Sequence, residues 1–255
     1  MSEQLKAGLV GPVGVITVDR PPVNAYNREI RDGIVEAVAR FEVDPAVRAI
    51  VLTATGSVFS GGQDMEEPEV QAAGGIPNSV LLSFDRLCNA LTHSPKPTIA
   101  AINGSAIGGG LEVVLSCDLR IAADTARFGA AGAKMGLISN TQRLVRVVGE
   151  PQAKLLAFTA RRLDARAAAT IGLVHEVVPA AGLLAAALAL GEEIAQTAPL
   201  SVERTKQAIN RAGDLPLADG LRLQREFFLE LSQTEDHQEA LRAFREKRTP
   251  DFRNR

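Results

Sequence analysis

Two glycine-rich turns hold the residues best suited to chemistry in this chain. Gly61-Gly62-Gln63-Asp64 is the first and Gly108-Gly109-Gly110 is the second; each follows a strand pattern, and the second opens a helical one. Glycine lets a ligand approach the backbone closely. A helix start offers N–H groups without intrahelical acceptors and the positive end of the helix dipole. Two such N–H groups aimed at one point would hold a carbonyl oxygen as it gains negative charge. Glu112 lies three residues after Gly109, on the same face of the first helical turn, and so can act on whatever that turn binds. On spacing alone a plainer reading stands ahead of this one. The glycines let the helix pack tightly, and Glu112 is a favourable first-turn acid.

Other chemistries find no support. His93, His175 and His237 are isolated and Cys88 and Cys117 are far apart, so no metal-ligand spacing appears. No serine sits in a G-x-S-x-G elbow. No Walker loop and no G-x-G-x-x-G fingerprint follows a strand. His175 reads as a packed or edge residue of a short strand, and His93, beside Ser94-Pro95, as a loop residue.

Strand and helix patterns alternate along the first two-thirds of the chain. Val13 to Asp19, Ala49 to Thr53, Thr98 to Ile102, Leu119 to Ala123 and Leu173 to Val178 read as strands. Gly56 to Asp64 reads as a loop. Asn27 can cap a helix carrying Ile30, Ile34, Val38 and Phe41 at helical spacing, and the run after Gly110 to Cys117 is a second helix. The last quarter is helical throughout: Leu183 to Gln196, Pro199 to Arg211, the face of Leu217, Leu221, Gln224, Phe228 and Leu231, and a final helix capped by Thr234. The alternation argues for an α/β core. The organisation expected is a core over residues 1–195 and a C-terminal helical region over 196–255, whose apolar faces need a partner in the core or in another subunit.

Composition bounds the function classes. The chain has 255 residues, 46% hydrophobic and 23% charged, with a formal charge of −2 and 4% aromatics. Disorder requires lower apolarity and higher net charge. There is no basic stripe and there are few stacking residues for a nucleic acid. The longest apolar run, Leu183 to Leu190, falls far short of the roughly 20 residues a bilayer span needs. Two cysteines suit a reducing compartment. The N-terminal run Met1-Ser2-Glu3-Gln4-Leu5-Lys6 lacks a signal core, so a cytoplasmic location is expected.

A longer set of motifs, taken in order, resembles the enoyl-CoA hydratase/isomerase (crotonase) superfamily. They are Arg20-Pro21-Pro22-Val23-Asn24-Ala25-Tyr26-Asn27, Phe59-Ser60-Gly61-Gly62-Gln63-Asp64-Met65, Lys96-Pro97-Thr98-Ile99-Ala100-Ala101-Ile102-Asn103-Gly104 and Gly108-Gly109-Gly110-Leu111-Glu112. Ala126-Arg127-Phe128-Gly129, Thr141-Gln142-Arg143-Leu144, Arg161-Arg162-Leu163-Asp164-Ala165, Ile171-Gly172-Leu173-Val174 and Phe244-Arg245-Glu246-Lys247-Arg248 follow. The resemblance implies a spiral of ββα turns with C-terminal helices that build trimers, often paired into hexamers. It implies an acyl-CoA thioester substrate, with coenzyme A entering as part of the substrate and no separate cofactor or metal. The backbone N–H groups matching the family's oxyanion donors are those of Gln63 and Gly109. The segments matching its CoA-binding positions run from Val23 to Ala25 and from Gly62 through Gln63 and Asp64 to Met65.

Family hydratases use two glutamates that share a water. Glu112 matches the first, and Gly132 stands where the second is expected. No Asp or Glu occurs from Thr125 to Gly149, and the segment Gly136 to Arg143 is short, without the family's proline- and glycine-rich turn. A positioned acid or base is worth about 10²–10⁴ in rate, so ordinary hydration of a simple enoyl-CoA should be slow. Three outcomes stay open: Glu112 alone serving a specialised enoyl-CoA, an isomerase-type proton transfer, or acyl-CoA binding with little turnover. Lyase, hydrolase or dehydratase chemistry on an unusual acyl group is a further option. The Gln63 side chain can narrow the pocket or bond an acyl group. Glu66, Glu67 and Glu69 read as a solvated loop face, and Lys134 as an exposed lysine.

Overall fold

A computed structural model describes residues 3–255; Met1 and Ser2, the first residues of the N-terminal run read above, lie outside it. The chain opens with β1 (Leu5–Val10) and β2 (Val13–Val18), an antiparallel hairpin, followed by α1 (Arg28–Val43). Asn27 caps α1, its side chain accepting the Ile30 N–H at 3.0 Å. Ile30, Ile34, Val38 and Phe41 are all buried, so the spacing seen in the sequence is the face that enters the core. Burying each such side chain contributes about 1.5–3 kcal/mol.

Three strand pairs follow, each leading into helix. The first is β3 (Ala49–Ala54) and β4 (Val58–Ser60), then α2 (Pro68–Ala73) and α3 (Asn78–His93). The second is β5 (Thr98–Ile102) and β6 (Ser105–Ile107), then α4 (Gly109–Ser116). The third is β7 (Leu119–Ala123) and β8 (Arg127–Gly129), then a 3₁₀ turn at Gly132–Met135 and α5 (Thr141–Thr159), kinked at Gly149. The remaining elements are β9 (Arg162–Asp164), α6 (Ala165–Thr170), β10 (Glu176–Val178), α7 (Leu183–Ala195), α8 (Pro199–Arg211), α9 (Leu217–Leu231) and α10 (Glu235–Glu246).

The first strand of each pair joins one sheet and the second joins another. The large sheet runs β1-β2-β3-β5-β7-β10, parallel from β2 onward; the small sheet runs β4-β6-β8-β9. Each ββα unit therefore steps between two layers, which is the expected spiral. Every residue of β3 and β5 is buried, because both faces of the large sheet are covered. One face packs Ile50, Leu52, Ala100 and Ile102 into the cluster that contains α1, α3 and α4. The other packs Val51, Ile99 and Ile121 with Leu183 and Ala187 of α7.

Expectations for three segments need correction here: His93, read as a loop residue, is the last residue of α3. The loop from Gly56 to Asp64 contains β4, a strand too short to show an alternation of its own. The strand expected from Leu173 is confined to Glu176–Val178. Leu173 and Val174 are buried ahead of it, and the N–H of His175 donates to the Arg120 carbonyl at 2.9 Å. Past α7, the side chain of Lys206 fastens α8 to the core: its Nζ pairs with Asp118 at 2.7 Å and donates to the carbonyls of Leu91 and Lys96. By contrast, α9 buries no residue, and Leu217, Leu221 and Phe228 form one exposed stripe along it.

Candidate functional site

The two glycine-rich turns lie at corresponding places, one after β4 and one after β6, which are parallel neighbours in the small sheet. They pack backbone to backbone. A Cβ on Gly62, whose φ is +102°, would lie 2.9 Å from the Gly109 nitrogen, and one on Gly109 would lie 3.2 Å from the Gln63 nitrogen. Only glycine at these places allows that approach. A Cβ on Gly109 would also meet Cζ of Phe84 at 2.8 Å, so this half-buried ring of α3 lies directly against the second turn.

Backbone bonding in the first turn leaves one donor over. Gly61 N–H donates to Val23 O at 2.8 Å, Gly62 N–H to Ser60 Oγ at 3.0 Å, and Asp64 N–H to Tyr26 O at 3.3 Å. The Gln63 N–H between them donates to no group among the described residues. In the second turn, Gly108 N–H donates to Gly129 O at 2.9 Å. Gly109 is the first residue of α4, and its N–H, which has no intrahelical acceptor, donates to no described group. Two unpaired N–H groups thus sit on adjacent backbone, a combination that suits a carbonyl oxygen.

Glu112 is in the first turn of α4, and its side chain is one-fifth exposed. Both carboxylate oxygens accept hydrogen bonds. Oε1 accepts from Arg143 of α5 at 2.8 Å, and Oε2 from Asn140 Nδ2 at 2.7 Å. Each oxygen keeps a further lone-pair site. Neither partner is given a role by the sequence, since they lie 28 and 31 residues from Glu112. Cys88 packs near this pair but is buried, and burial pushes its thiol up to about 12, so it is no thiolate nucleophile near neutral pH.

Gly132 is buried in the 3₁₀ turn after β8. A Cβ there would lie 2.7 Å from Leu137 O, 2.7 Å from Ser139 Oγ and 2.9 Å from Ser139 N. The short stretch Leu137–Ser139 fills the space into which a side chain at 132 would project. Gly132 N–H donates to Ser139 Oγ at 3.1 Å, and Ser139 Oγ donates to Asn140 Oδ1 at 3.0 Å. Lys134 is exposed.

The Gln63 side chain bonds protein groups rather than being left to line a pocket. Its Oε1 accepts from Arg31 at 2.9 Å and its Nε2 donates to Glu67 at 2.8 Å. Glu67 corrects the solvated-face expectation: it is buried and paired at 3.0 Å with Arg31, which is 1% exposed. Burial raises the Glu67 carboxyl, but Arg31, Gln63 and the Arg28 N–H outweigh it and hold the group below the usual range. Glu66 and Glu69 are exposed as expected. Arg31 also donates to Tyr26 O at 2.8 Å, so this pair braces the segment bridged to Gln63. No sequence signal marked it, because the partners are 36 residues apart.

The remaining expected positions lie on two segments joined by backbone bonds, Gly61 N–H to Val23 O at 2.8 Å and Tyr26 N–H to Gly62 O at 2.7 Å. Val23 and Met65 are exposed, Ala25 is half-buried, and Asp64 is buried against Arg20 at 2.7 Å. Arg20 also donates to Ala25 O at 3.2 Å, tying the two segments together. Among the described residues no cluster of His, Cys, Asp and Glu could hold a metal ion, and no helix is long and apolar enough to cross a membrane.

Known proteins share this arrangement of chain. The family profile described as Enoyl-CoA hydratase/isomerase matches residues 10–255. The short-chain-enoyl-CoA hydratase of Clostridium acetobutylicum is 38% identical over 252 residues, covering 96% of each chain. The crystal structure of an enoyl-CoA hydratase from Bacillus anthracis superposes with a TM-score of 0.92 at 31% identity, over 99% of this chain and 100% of the other. An enoyl-CoA hydratase from a Polaromonas species superposes with a TM-score of 0.90 at 29% identity, over 98% and 99% of the two chains. Agreement over nearly the full length, in sequence as well as in fold, shows that this chain belongs to the enoyl-CoA hydratase/isomerase family.

Proposed function

We propose that the protein processes an acyl-CoA thioester through an enolate-like state, with Glu112 as its single proton-transfer group. In this reading the thioester oxygen sits between the N–H groups of Gln63 and Gly109, and losing one such donor costs about 10²–10³ in rate. The observation that carries it is the pair of unsatisfied N–H groups on touching glycine turns, one of which opens the helix bearing Glu112. CoA runs along Val23 to Ala25 and Gly62 to Met65, and Phe84 is an apolar wall beside the reacting carbon. Coenzyme A is part of the substrate, and no other cofactor or metal takes part. The exposed stripe on α9 meets copies of the same chain in a trimer or a pair of trimers, and the helical region over 196–255 serves that assembly. The protein works in the cytoplasm.

With one acid in reach, proton shift is favoured over addition of water. Hydration needs a group to activate water and a group to protonate carbon. A double-bond shift, or exchange at the carbon next to the thioester, can be served by one base that takes and returns a proton. A second reading is an acyl-CoA-binding protein with little turnover. It is favoured by the engagement of both Glu112 oxygens by Arg143 and Asn140.

A panel of saturated, 2-enoyl and 3-enoyl CoA thioesters incubated in D2O and read by mass separates these readings. Deuterium gain without water gain is expected. Glu112→Gln should bind the same thioesters and lose about 10²–10⁴ in rate. A Glu112→Gln protein as active as the parent would remove Glu112 from the chemistry; saturable binding with no mass change across the panel would leave the binding-protein reading.

A further inference from the structure

Asn140 is the residue that joins the two halves of the site. It is 5% exposed and holds a φ of 61°, an uncommon backbone state for a residue with a side chain. Both polar atoms of its amide group are engaged. Nδ2 donates to Glu112 Oε2 at 2.7 Å and to the Gly108 carbonyl at 2.9 Å, and Oδ1 accepts from Ser139 Oγ at 3.0 Å. The Gly108 carbonyl and the Gly109 N–H are the two ends of one peptide unit. That unit is planar and turns as a body; its oxygen also accepts the Glu112 N–H at 3.0 Å, so the start of α4 and Asn140 together set the direction of its N–H. A donor on the oxygen polarises the unit and strengthens the N–H as a donor in turn. The same side chain fixes one oxygen of Glu112, whose other oxygen is held by Arg143.

We propose that Asn140 is a positioning residue that orients both the Gly109 donor and the Glu112 carboxylate. This rests on the reading of those two groups given above. Gly132 belongs to the same chain of bonds, because its N–H reaches Asn140 through Ser139 Oγ. The absence of a side chain at 132 thereby leaves room for the stretch that carries Asn140, since a Cβ there would collide with Leu137 and Ser139.

Asn140→Gly is the informative substitution. Glycine adopts positive φ without strain, so the backbone turn is kept while the amide is lost. Asn140→Asp retains the shape but sets an acceptor against two acceptors. The parent and both variants are compared by thermal melting and by titration with cinnamoyl-CoA, whose absorption moves red as its thioester carbonyl is polarised. Deuterium gain by butyryl-CoA in D2O is measured in parallel.

The parent is expected to shift the chromophore. Asn140→Gly should melt cooperatively and bind with an affinity within a few-fold of the parent. It should show a smaller red shift and exchange about 10²-fold more slowly, the cost of a catalytic group misplaced by about 1 Å. Asn140→Asp should lose more of both. Glu112→Gln should keep the red shift and lose exchange, which separates a failure of the base assignment from a failure of this inference. Asn140→Gly with the parent's red shift and exchange rate would overturn the proposal while leaving the functional reading intact. If the parent exchanges no deuterium, the absorption comparison alone decides. A parent that leaves the chromophore unshifted would overturn both.

Discussion

Placing a side chain at position 132 should damage the site rather than supply a second acid. A Cβ there would lie 2.7 Å from Leu137 O and from Ser139 Oγ, and 2.9 Å from Ser139 N. Two of these neighbours are backbone atoms and cannot rotate aside. The segment is also held at both ends of the contact: Leu137 N–H donates to Gly132 O at 2.9 Å, and Gly132 N–H to Ser139 Oγ at 3.1 Å. Relief requires moving the stretch outward by roughly half an ångström or more, and inserted bulk in a packed site typically costs 1–3 kcal/mol. For a chain of this length each kcal/mol lowers the melting temperature by roughly 2–4 °C. Gly132→Ala and Gly132→Glu should therefore both melt roughly 2–12 °C below the parent at matched protein concentration. The displaced Ser139 would disturb Asn140, so exchange of deuterium into acyl-CoA should slow in both variants. Calorimetry and the mass-resolved thioester panel measure these effects. If Gly132→Glu melts with the parent and adds water to 2-enoyl-CoA substrates faster, the space is open and the steric reasoning is wrong.

The buried Arg31–Glu67 pair predicts both a large loss and a pH signature. Arg31→Met leaves Glu67 buried without its cation and should cost about 3–5 kcal/mol in denaturant unfolding. Because the folded Glu67 carboxyl lies below its ordinary value of 4.5, the stability from the pair is fully present above about pH 4.5 and is lost as pH falls through the lowered folded value. The stability gap between parent and Arg31→Met should then narrow on acidification, and a gap constant from pH 6 to pH 3 would contradict the assignment. On α9, Phe228 is 70% exposed in the single chain beside Leu217 and Leu221. In the proposed trimer, Phe228→Glu should reduce the mass seen by light scattering to that of one chain. An unchanged mass would exclude this stripe as the contact of the proposed assembly.

Much of the framework is legible in the sequence because it obeys local rules. The α1 face, the Asn27 cap, the strands Ala49–Ala54, Thr98–Ile102 and Leu119–Ala123, and the C-terminal helices all follow from periodicity and capping. Three-residue strands such as β4, β6 and β8 are too short to show a period, yet they build the small sheet that brings the glycine turns together. The resemblance supplied the layer change that periodicity could not.

The site divides along the same line. Glycines at 61–62 and 108–110 and an acid at 112 can be picked out by local pattern, close backbone approach and one face of one helical turn, but spacing alone favoured plain packing and the resemblance gave them their roles. What surrounds Glu112 is not visible, because Arg143 and Asn140 reach it across a chain separation that no short pattern spans. The acidic run after Met65 shows the cost of judging charge by composition. Glu66 and Glu69 are solvated, while Glu67 between them turns inward to meet an arginine from α1. One buried charge demanded another, and Gln63, whose backbone is read as the working group, spends its side chain on that pair. Position 132 carries the same lesson in reverse. In the sequence it stands where the resemblance expects an acid; in the fold its bare backbone admits the stretch that delivers Asn140 to Glu112. The bare backbone at 132 and the placement of the Asn140 amide are thus linked by sterics, and a side chain cannot be added at 132 without displacing Ser139 beside that amide.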